Sequence, residues 1–219
     1  MKRIAIFAPT GMLGSAVYGV LRDHAELVLV LRDQSKISAL EQAYGATTGH
    51  RIVVSNIDSL YTEYLRGSTQ LGNQTSWKQL VDEIGQVDGV VNCLGVTNRY
   101  SKDRPAEAFF INGFFPHLLA STYGERLLHI TTDCVYPGDA GRPYSENDYP
   151  SPVDIYGVTK MVGEPGSQSL VIRTSIIGPE IFGFVSLLEW VKQQSGKEIH
   201  GFTRHLWNGI TTKEFGKIA

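Results

Sequence analysis

Short apolar runs alternate with longer helical stretches along most of the chain, and this alternation limits the possible folds more than any other feature. Several runs are apolar on both faces, as expected of parallel strands covered by helices on either side. The pattern predicts stacked βαβ units and therefore an α/β, Rossmann-like, doubly wound parallel sheet. The predicted strands are Arg3–Ala8, Glu26–Leu31, Arg51–Ser55, Gly89–Leu94, Leu127–Thr132 and Ser169–Thr174. The predicted helices are Met12–His24, Ser35–Tyr44, Ser59–Arg66, Ser76–Ile84, Pro105–Tyr123 and Asp154–Glu164.

The alternation weakens after Pro179. A further helix is predicted over Ile181–Ser195, followed by a polar and aromatic stretch, and the last residues, 212–219, resemble the start of another helix. Polar loops are predicted over Gly67–Ser76 and Pro137–Pro152. A loop as long as the second one, inside an α/β domain, usually carries a site or a lid.

Composition excludes several classes of protein. The chain has 219 residues, with 20 Lys and Arg against 22 Asp and Glu, so its net charge is −2 and no basic stripe indicates nucleic acid as a partner. Its apolar runs are far shorter than the roughly 20 residues that span a bilayer, and we expect no membrane or secretory segment. Cys93 and Cys134 lie in strand-like runs, so we expect core thiols, no disulfide, no metal site and a cytoplasmic protein.

A glycine-rich turn follows the first predicted strand. The sequence Ala8-Pro9-Thr10-Gly11-Met12-Leu13-Gly14 leads into an amphipathic helix, and such a turn brings backbone N–H groups close to a pyrophosphate at a helix N-terminus. Gly14 is expected where helix and strand pack too closely for a side chain. Ala8 occupies the first position of the GxxGxxG spacing, where a methyl group is expected to be tolerated only at a negative φ. The turn predicts cofactor contacts from Gly11, Met12, Leu13 and Gly14.

Other residues at the carboxyl ends of predicted strands favour a dinucleotide. Arg32 follows the second strand, where a basic side chain pairs with the 2′-phosphate of NADP and an acidic one selects NAD. Because Arg32 occupies the expected position, NADP(H) is favoured. Asp33 comes next in the sequence, so NAD(H) stays possible. Asp58 follows the third strand, and Asn92 and Gly95 lie at the end of the fourth. Because ligands of open α/β sheets bind at this edge, we predict all of these as cofactor-binding residues.

The fifth strand and the helix after it carry residues suited to hydride-transfer chemistry. Thr132 stands at the strand end, and Tyr156 and Lys160 lie four residues apart on one helical face. We expect the ammonium of Lys160 to lower the pKa of Tyr156, which would then exchange a proton with a carbonyl or alcohol oxygen. The small hydroxyl of Thr132 is suited to hold the same substrate oxygen.

These motifs together resemble extended short-chain dehydrogenases/reductases, and within them the dTDP-4-dehydrorhamnose reductase group of sugar-nucleotide reductases. The segments that carry the resemblance are the turn, Asn-Cys-Leu-Gly, Thr-Thr-Asp-Cys-Val-Tyr-Pro-Gly, Tyr-Gly-Val-Thr-Lys-Met-Val-Gly-Glu and Leu-Val-Ile-Arg-Thr-Ser-Ile-Ile-Gly-Pro. The resemblance implies Tyr156 as catalytic acid/base, Lys160 as its ribose-binding partner, Thr132 as the group that polarises the substrate, and Asp133 as an assisting residue. Asn112 matches the asparagine that packs near the active site of the family.

The resemblance also implies a division of the chain. Residues 1–175 are predicted to form the NAD(P)-binding Rossmann domain with the catalytic residues, and residues 176–219 a small, incomplete substrate-binding part. The implied function is an NADP(H)-dependent reductase of a keto-sugar nucleotide, acting as a possible homodimer. Side chains that could contribute to a sugar-nucleotide pocket, or equally to packing or surface, are Arg99, Tyr100, His205 and Trp207.

Two other functions stay open. A sugar-nucleotide epimerase or dehydratase would return the hydride to its product, but dehydratases tend to carry Glu after the Asp, whereas Cys134 follows Asp133. A non-catalytic dinucleotide-binding regulatory subunit would not need Thr132, Tyr156 and Lys160, although the short C-terminal part is consistent with one.

Overall fold

A parallel sheet of six strands organises the described part of the molecule. The computed structural model describes residues 1–55, 57–66 and 75–219, with only the backbone described for Asp58 and Thr75. The strands are β1 (Arg3–Phe7), β2 (Glu26–Leu31), β3 (Arg51–Val54), β4 (Gly89–Asn92), β5 (Leu127–Thr131) and β6 (Leu170–Arg173). Their order is β3-β2-β1-β4-β5-β6 and every neighbouring pair is parallel, which is the doubly wound order and confirms the predicted fold class.

Helices cover both faces of the sheet. They are α1 (Met12–Leu21), α2 (Ile37–Tyr44), α3 (Ile57–Leu65), α4 (Thr75–Ile84), α5 (Asn98–Asp103), α6 (Pro105–Ala108), α7 (Phe115–Tyr123), α8 (Ile155–Val162), α9 (Leu187–Gln193) and α10 (Thr212–Ile218). A π-helical segment, Phe109–Phe114, joins α6 to α7, and short 3₁₀ turns lie at Gln34–Lys36, Gly124–Arg126, Asp133–Val135 and Gly166–Gln168. Of the predicted loop over Gly67–Ser76, residues 67–74 lie outside the described part of the chain.

The apolar alternation of the strands fills one core on each face of the sheet. On β1, Ala5 and Phe7 belong to one cluster, with Trp77 and Phe115, whereas Ile6 belongs to the other. Tyr18 is a member of that second cluster and is fully buried. Because consecutive side chains of a strand point to opposite faces, an all-apolar strand packs helices on both.

The structure corrects several predicted element bounds. The helix predicted over Ile181–Ser195 is only α9, because Gly183 and Phe184 have φ values of 93° and 51°, which no helix accommodates. The helix predicted over Pro105–Tyr123 is interrupted by the π-helical segment. Helix α5 and a second, two-stranded sheet of β7 (Ile176–Ile177) and β8 (Ile210–Thr211) were not predicted.

The last described helix packs against the first. Phe215 of α10 is fully buried in the same cluster as Tyr18, and a Cβ at Gly216 would lie 3.0 Å from Val20 Cγ2. Helix α10, which lies in the predicted substrate-binding part, thus shares a core with residues of the predicted Rossmann domain. The predicted boundary between the two parts at residue 175 stays a prediction. None of the helices within the described residues is long and apolar enough to cross a membrane.

Candidate active site

The glycine-rich turn presents free backbone N–H groups at the start of α1. Gly11 is the N-cap residue with φ −75° and ψ 169°, and no side chain caps the helix. Gly11 N donates to Ala8 O over 3.1 Å, which closes the turn. A Cβ at Gly14 would overlap Ala8 O and lie 2.9 Å from Pro9 Cα, so this position admits no side chain. An uncapped helix N-terminus beside a tight turn is suited to bind an anion.

Ala8 adopts a backbone conformation that the sequence argument excluded. Its φ is +58°, in the left-handed region that favours glycine, while its N–H donates to Val30 O over 3.0 Å. The expectation that alanine requires a negative φ here was wrong. The surrounding hydrogen bonds hold the residue in a conformation that costs roughly 1 kcal/mol for a residue with a Cβ.

The end of β2 carries an exposed basic side chain, Arg32, and next to it an acidic one, Asp33, that is hydrogen-bonded. Asp33 Oδ1 accepts from Ser35 N over 3.0 Å and from Ser35 Oγ over 2.7 Å, and these hydrogen bonds lower the pKa of Asp33. Arg32 is exposed, and no ion pair to it is found among the described residues. The side chain of Asp58 lies outside the described residues.

Asn92 and His129 form a buried polar pair between β4 and β5. Both side chains are fully buried, and Asn92 Nδ2 lies 3.0 Å from His129 Nδ1 while Asn92 Oδ1 accepts from Leu94 N over 3.1 Å. Burial, and then the nearby charge of Lys160, lower the pKa of His129 well below its usual value. His129 therefore stays neutral, and both groups of Asn92 are engaged with the protein. Sequence reasoning missed His129, although a histidine within an otherwise apolar strand was the available signal.

The carboxyl end of β5 brings three polar side chains together. Thr132 is buried, and its hydroxyl accepts from Cys134 N over 3.1 Å and donates to Asp133 Oδ1 over 3.3 Å. Ser175 Oγ donates to Asp133 Oδ2 over 2.6 Å, a contact between distant segments that sequence reasoning missed. Cys134 is an exposed free thiol, so its predicted core position was wrong, because it lies in the 3₁₀ turn after β5.

Tyr156 lies on α8 next to Thr132, with its protonation set by burial. Burial raises the pKa of Tyr156 to about 12, hydrogen bonding with Thr132 opposes that rise, and the charges of Asp133 and Asp154 add to it. The pKa of Tyr156 is therefore raised, where the sequence argument expected Lys160 to lower it, and Lys160 is not among the main groups that shift it. The helix itself begins at Asp154, whose carboxylate accepts from Gly157 N over 2.8 Å.

Lys160 is buried against β5. Its side chain is 4% exposed, its Nζ donates to Ile130 O over 2.8 Å, and this is the one hydrogen bond it makes within the described residues. Burial lowers its pKa to about 8, against the opposing charge of Glu164. A Cβ at Gly95 would lie 3.5 Å from Lys160 Nζ, so the missing side chain leaves open space beside the ammonium. The remaining N–H donors of Lys160 are suited to hydroxyl groups of a ligand.

Asn112 connects the loop after β4 to the helix of Tyr156 and Lys160. Its Oδ1 accepts from Val96 N over 2.9 Å, and its Nδ2 donates to Val96 O and to Thr159 Oγ1, each over 3.1 Å. It lies in the π-helical segment, and a Cβ at Gly163 would overlap its carbonyl oxygen. Such segments occur frequently at functional sites, and here the segment fixes α8 against the sheet.

An apolar cavity of about 390 Å³ lies between the glycine-rich turn and the C-terminal residues. Its lining residues are Met12, Ile176, Ile177, Gly178, Ser186, Leu187, Leu188, His205 and Trp207. His205 and Trp207, two of the residues considered for a sugar-nucleotide pocket, are thus brought to the start of α1. Tyr100, by contrast, hydrogen-bonds Glu107 on α6.

The doubly wound sheet, the uncapped glycine-rich turn, and the Thr132, Tyr156 and Lys160 side chains at one sheet edge define an extended short-chain dehydrogenase/reductase. The chain belongs to the RmlD substrate binding domain family, whose model matches residues 1–184. Both findings confirm the resemblance on which the sequence interpretation depended.

Individual relatives support the same grouping. The chain is 42% identical to the dTDP-4-dehydrorhamnose reductase of Streptomyces griseus over 79 residues, which are 34% of this chain and 26% of that protein. It is 32% identical to the probable low-salt glycan biosynthesis reductase Agl14 of Haloferax volcanii over 108 residues, 45% of this chain and 36% of that one. The matched segments therefore span well under half of these relatives.

Solved structures share the fold at low sequence identity. The UDP-N-acetylglucosamine 4-epimerase of Methanobrevibacter ruminantium has a TM-score of 0.71 at 15% identity, covering 99% of this chain and 71% of that one. The dTDP-4-dehydrorhamnose reductase of Bacillus anthracis, in complex with NADP, has a TM-score of 0.57 at 20% identity, covering 88% and 59%. The Bordetella bronchiseptica enzyme WbmG, in complex with NAD and UDP, has a TM-score of 0.63 at 18% identity, covering 90% and 61%.

Proposed function

We propose that this protein is an NADP(H)-dependent reductase of a keto-sugar nucleotide. The observation that carries the proposal is the placement of Thr132, Tyr156 and Lys160 at the carboxyl edge of the sheet, beside an uncapped helix N-terminus. Family membership and the reductases among the relatives support it.

The described residues fit a nicotinamide dinucleotide. The backbone of Gly11 to Gly14 would hold the pyrophosphate, and a side chain at Gly14 would fill the turn. Lys160 retains N–H donors for ribose hydroxyls, and Gly95 leaves the space for them. When bound in its reduced form, the cofactor supplies the hydride that the reaction requires.

The side chains of this site are arranged to supply a proton. With its pKa raised to about 12, Tyr156 stays a neutral phenol at neutral pH, which is the form that donates a proton to an oxygen. Reduction of a carbonyl places negative charge on that oxygen, and the Tyr156 O–H would transfer its proton there. The Thr132 hydroxyl, adjacent to Tyr156, would bind the same oxygen and orient it. Asp133, held by Ser175, fixes the position of Thr132.

Two observations favour NADP(H) over NAD(H). Asp33, the acidic residue closest to the β2 end, is engaged with Ser35, so its carboxylate is less available to ribose hydroxyls. Arg32 is exposed and could pair with a 2′-phosphate. Both cofactors occur among the structural neighbours, NADP in one and NAD in another.

The substrate class follows from the relatives and from the cavity. Relatives named as dTDP-4-dehydrorhamnose reductases indicate a keto sugar linked to a nucleotide. The apolar cavity beside Met12, with Trp207 and His205 in its lining, would take a part of such a molecule other than its reacting carbonyl, which would lie at Thr132 and Tyr156.

The test is NADPH oxidation by the full chain with a panel of 4-keto sugar nucleotides. We expect turnover with at least one of them, and we expect Tyr156→Phe to reduce kcat at least a hundredfold while the affinity for NADPH changes less than threefold. Unchanged turnover in the variant would remove Tyr156 from the acid/base role. Conversion of sugar without net NADPH oxidation would indicate an epimerase instead, and NADPH binding without any conversion a regulatory subunit.

A further inference from the structure

Arg173, at the end of β6, joins the catalytic helix to the loop that precedes it. We propose that Arg173 is a positioning residue whose guanidinium holds the loop over residues 137–152 against α8, and thereby sets the placement of Tyr156 relative to Thr132. The inference deepens the proposed function and rests on it for its kinetic part.

The first half of this arrangement is a bidentate ion pair with Glu164. Arg173 Nη2 lies 2.7 Å from Glu164 Oε2, and Arg173 Nε lies 2.9 Å from Oε1. The side chains are 22% and 14% exposed, so solvent screens the pair only weakly. Glu164 follows α8 by two residues and lies four residues after Lys160. The pair therefore fastens the end of the catalytic helix to the sheet.

The second half of the arrangement reaches the loop through Tyr136. Arg173 Nη1 donates to Tyr136 Oη over 2.5 Å, and Tyr136 Oη donates in turn to Ser145 O over 2.7 Å. The guanidinium also lies 5.3 Å from the centroid of the Tyr136 ring, which stacks on Tyr144 at 4.6 Å. One arginine thus connects β6, α8 and the loop.

The residues of the 137–152 loop contact one another, so a contact that fixes one of them restrains the whole loop. Arg142 forms an ion pair with Asp148 over 2.5 Å, and Asp148 Oδ2 accepts from Ser145 N over 2.7 Å. Tyr144 Oη accepts from the backbone N–H of Asp139 over 3.1 Å. Ser145 belongs to this set of contacts and also accepts a hydrogen bond from Tyr136, which in turn contacts Arg173. Arg173 therefore restrains the loop as a whole.

Both ends of the loop lead directly into the site. Thr132 and Asp133 precede it on the β5 side, and Tyr156 follows it on α8. Ser151 N donates to Val135 O over 2.9 Å, which closes the loop at its base. Ser175, two residues after Arg173, holds Asp133. The loop of 16 residues connects the two catalytic groups, so holding the loop adds to the contacts that Asn112 and Lys160 make with α8 and the sheet.

Arginine is the side chain that this geometry requires. Its Nε and Nη2 serve Glu164 while its Nη1 serves Tyr136, and only a planar guanidinium presents donors in both directions at once. A lysine at this position would keep the charge beside Glu164 but lose the contact with Tyr136. The Arg173→Lys variant therefore separates the effect of the positive charge beside Glu164 from the effect of the hydrogen bond to Tyr136.

The test combines hydrogen–deuterium exchange of the unliganded chain with steady-state kinetics. We expect Arg173→Lys to speed exchange in peptides covering residues 137–152 at least tenfold, with less than twofold change in the β1 peptide. We also expect kcat to fall at least tenfold while the affinity for NADPH changes less than threefold. Arg126→Lys is the matched control, because Arg126 donates to Val87 O and Tyr123 O at the opposite end of β5, and should leave the loop unchanged.

Two results would overturn the proposal: unchanged exchange of the loop in Arg173→Lys, or exchange that rises equally in the β1 peptide, which would make Arg173 only a general stabiliser. Tyr136→Phe, which removes the hydroxyl alone, should speed loop exchange at least threefold and decides the matter if Arg173→Lys does not fold. The exchange measurements need no substrate. Absence of NADPH oxidation in the unmodified chain would therefore refute the proposed function, while the exchange result still decides whether Arg173 holds the loop.

Discussion

Lys160 is expected to destabilise the unliganded protein, and its removal tests this directly. The ammonium is 4% exposed and makes one hydrogen bond, to Ile130 O, among the described residues. Burial of a charged group with so few hydrogen bonds makes folding less favourable, and such groups are often found at functional sites. We predict that Lys160→Met makes the unliganded protein more stable at pH 7 while it abolishes turnover.

The magnitude follows from the pKa of Lys160. Folding lowers this pKa from its ordinary value of 10.5 to about 8, which corresponds to roughly 3 kcal/mol of destabilisation when the group is charged in both states. Loss of the hydrogen bond to Ile130 O removes about 1 kcal/mol from the gain. We therefore expect Lys160→Met to raise the free energy of unfolding by about 2 kcal/mol at pH 7.

The dependence on pH has a definite sign. Between pH 8 and pH 10.5 the unfolded chain binds the Lys160 proton and the folded chain does not, so the wild-type free energy of unfolding rises with pH through that window. Below pH 8 the whole penalty is present, and above pH 10.5 it is gone. The stability difference between Lys160→Met and wild type should therefore shrink across the window.

Urea unfolding followed by circular dichroism, from pH 7 to pH 10.5, measures this difference. Lys217→Met is the control for removal of a lysine at an exposed position, since the Lys217 side chain is 56% exposed on α10. A Lys160→Met protein that is less stable than wild type at pH 7, or whose stability difference does not change with pH, would refute the reasoning about burial.

Three further predictions concern the nucleotide end of the site. Gly14→Ala should lower the free energy of unfolding by about 2 kcal/mol, because its Cβ would overlap Ala8 O. Gly11→Ala, whose Cβ would lie 3.5 Å from the same atom, should change that free energy by less than about 1 kcal/mol and weaken NADPH binding instead. Urea unfolding and fluorescence titration separate the two effects, and equal stabilities of the two variants would contradict the packing argument. Arg32→Ala should reduce the preference for NADPH over NADH at least tenfold in the same titration, and a variant that still discriminates would exclude Arg32 as the 2′-phosphate contact. Ala8→Gly should stabilise the folded chain by about 0.5 kcal/mol, because the strain energy removed at a φ of +58° exceeds the cost of the greater entropy that glycine gives the unfolded chain. A loss of stability would show that the conformation of Ala8 is not strained.

Local patterns predicted the fold well. The six strands of the sheet were predicted to within two residues at each end, because an apolar run between turn residues is a local feature of the chain. The helix bounds were less accurate where a tertiary contact intervenes. Asn112 lies in a π-helical turn that pairs with Val96 and Thr159, and no periodicity within residues 105–123 indicates that partnership.

The chemistry of the site depended on contacts between distant segments. Ser175, His129 and Arg173 meet Asp133, Asn92 and Tyr136 across 42, 37 and 37 positions of the sequence, so no spacing rule could have selected them. The roles given to the predicted site residues stay predictions, but the structure defines the surroundings of those whose side chains it describes.

The sequence by itself determined the order of strands and helices, the glycine-rich turn and the spacing of Tyr156 and Lys160, because each depends on neighbouring residues. Only the tertiary structure decided how these groups are charged. Lys160 lies under the sheet edge and loses hydration, so its pKa falls to about 8, and Tyr156 is buried near Asp133, so its pKa rises to about 12. The cost of removing a charge from water depends on everything packed around it, and that surrounding exists only once distant segments have come together.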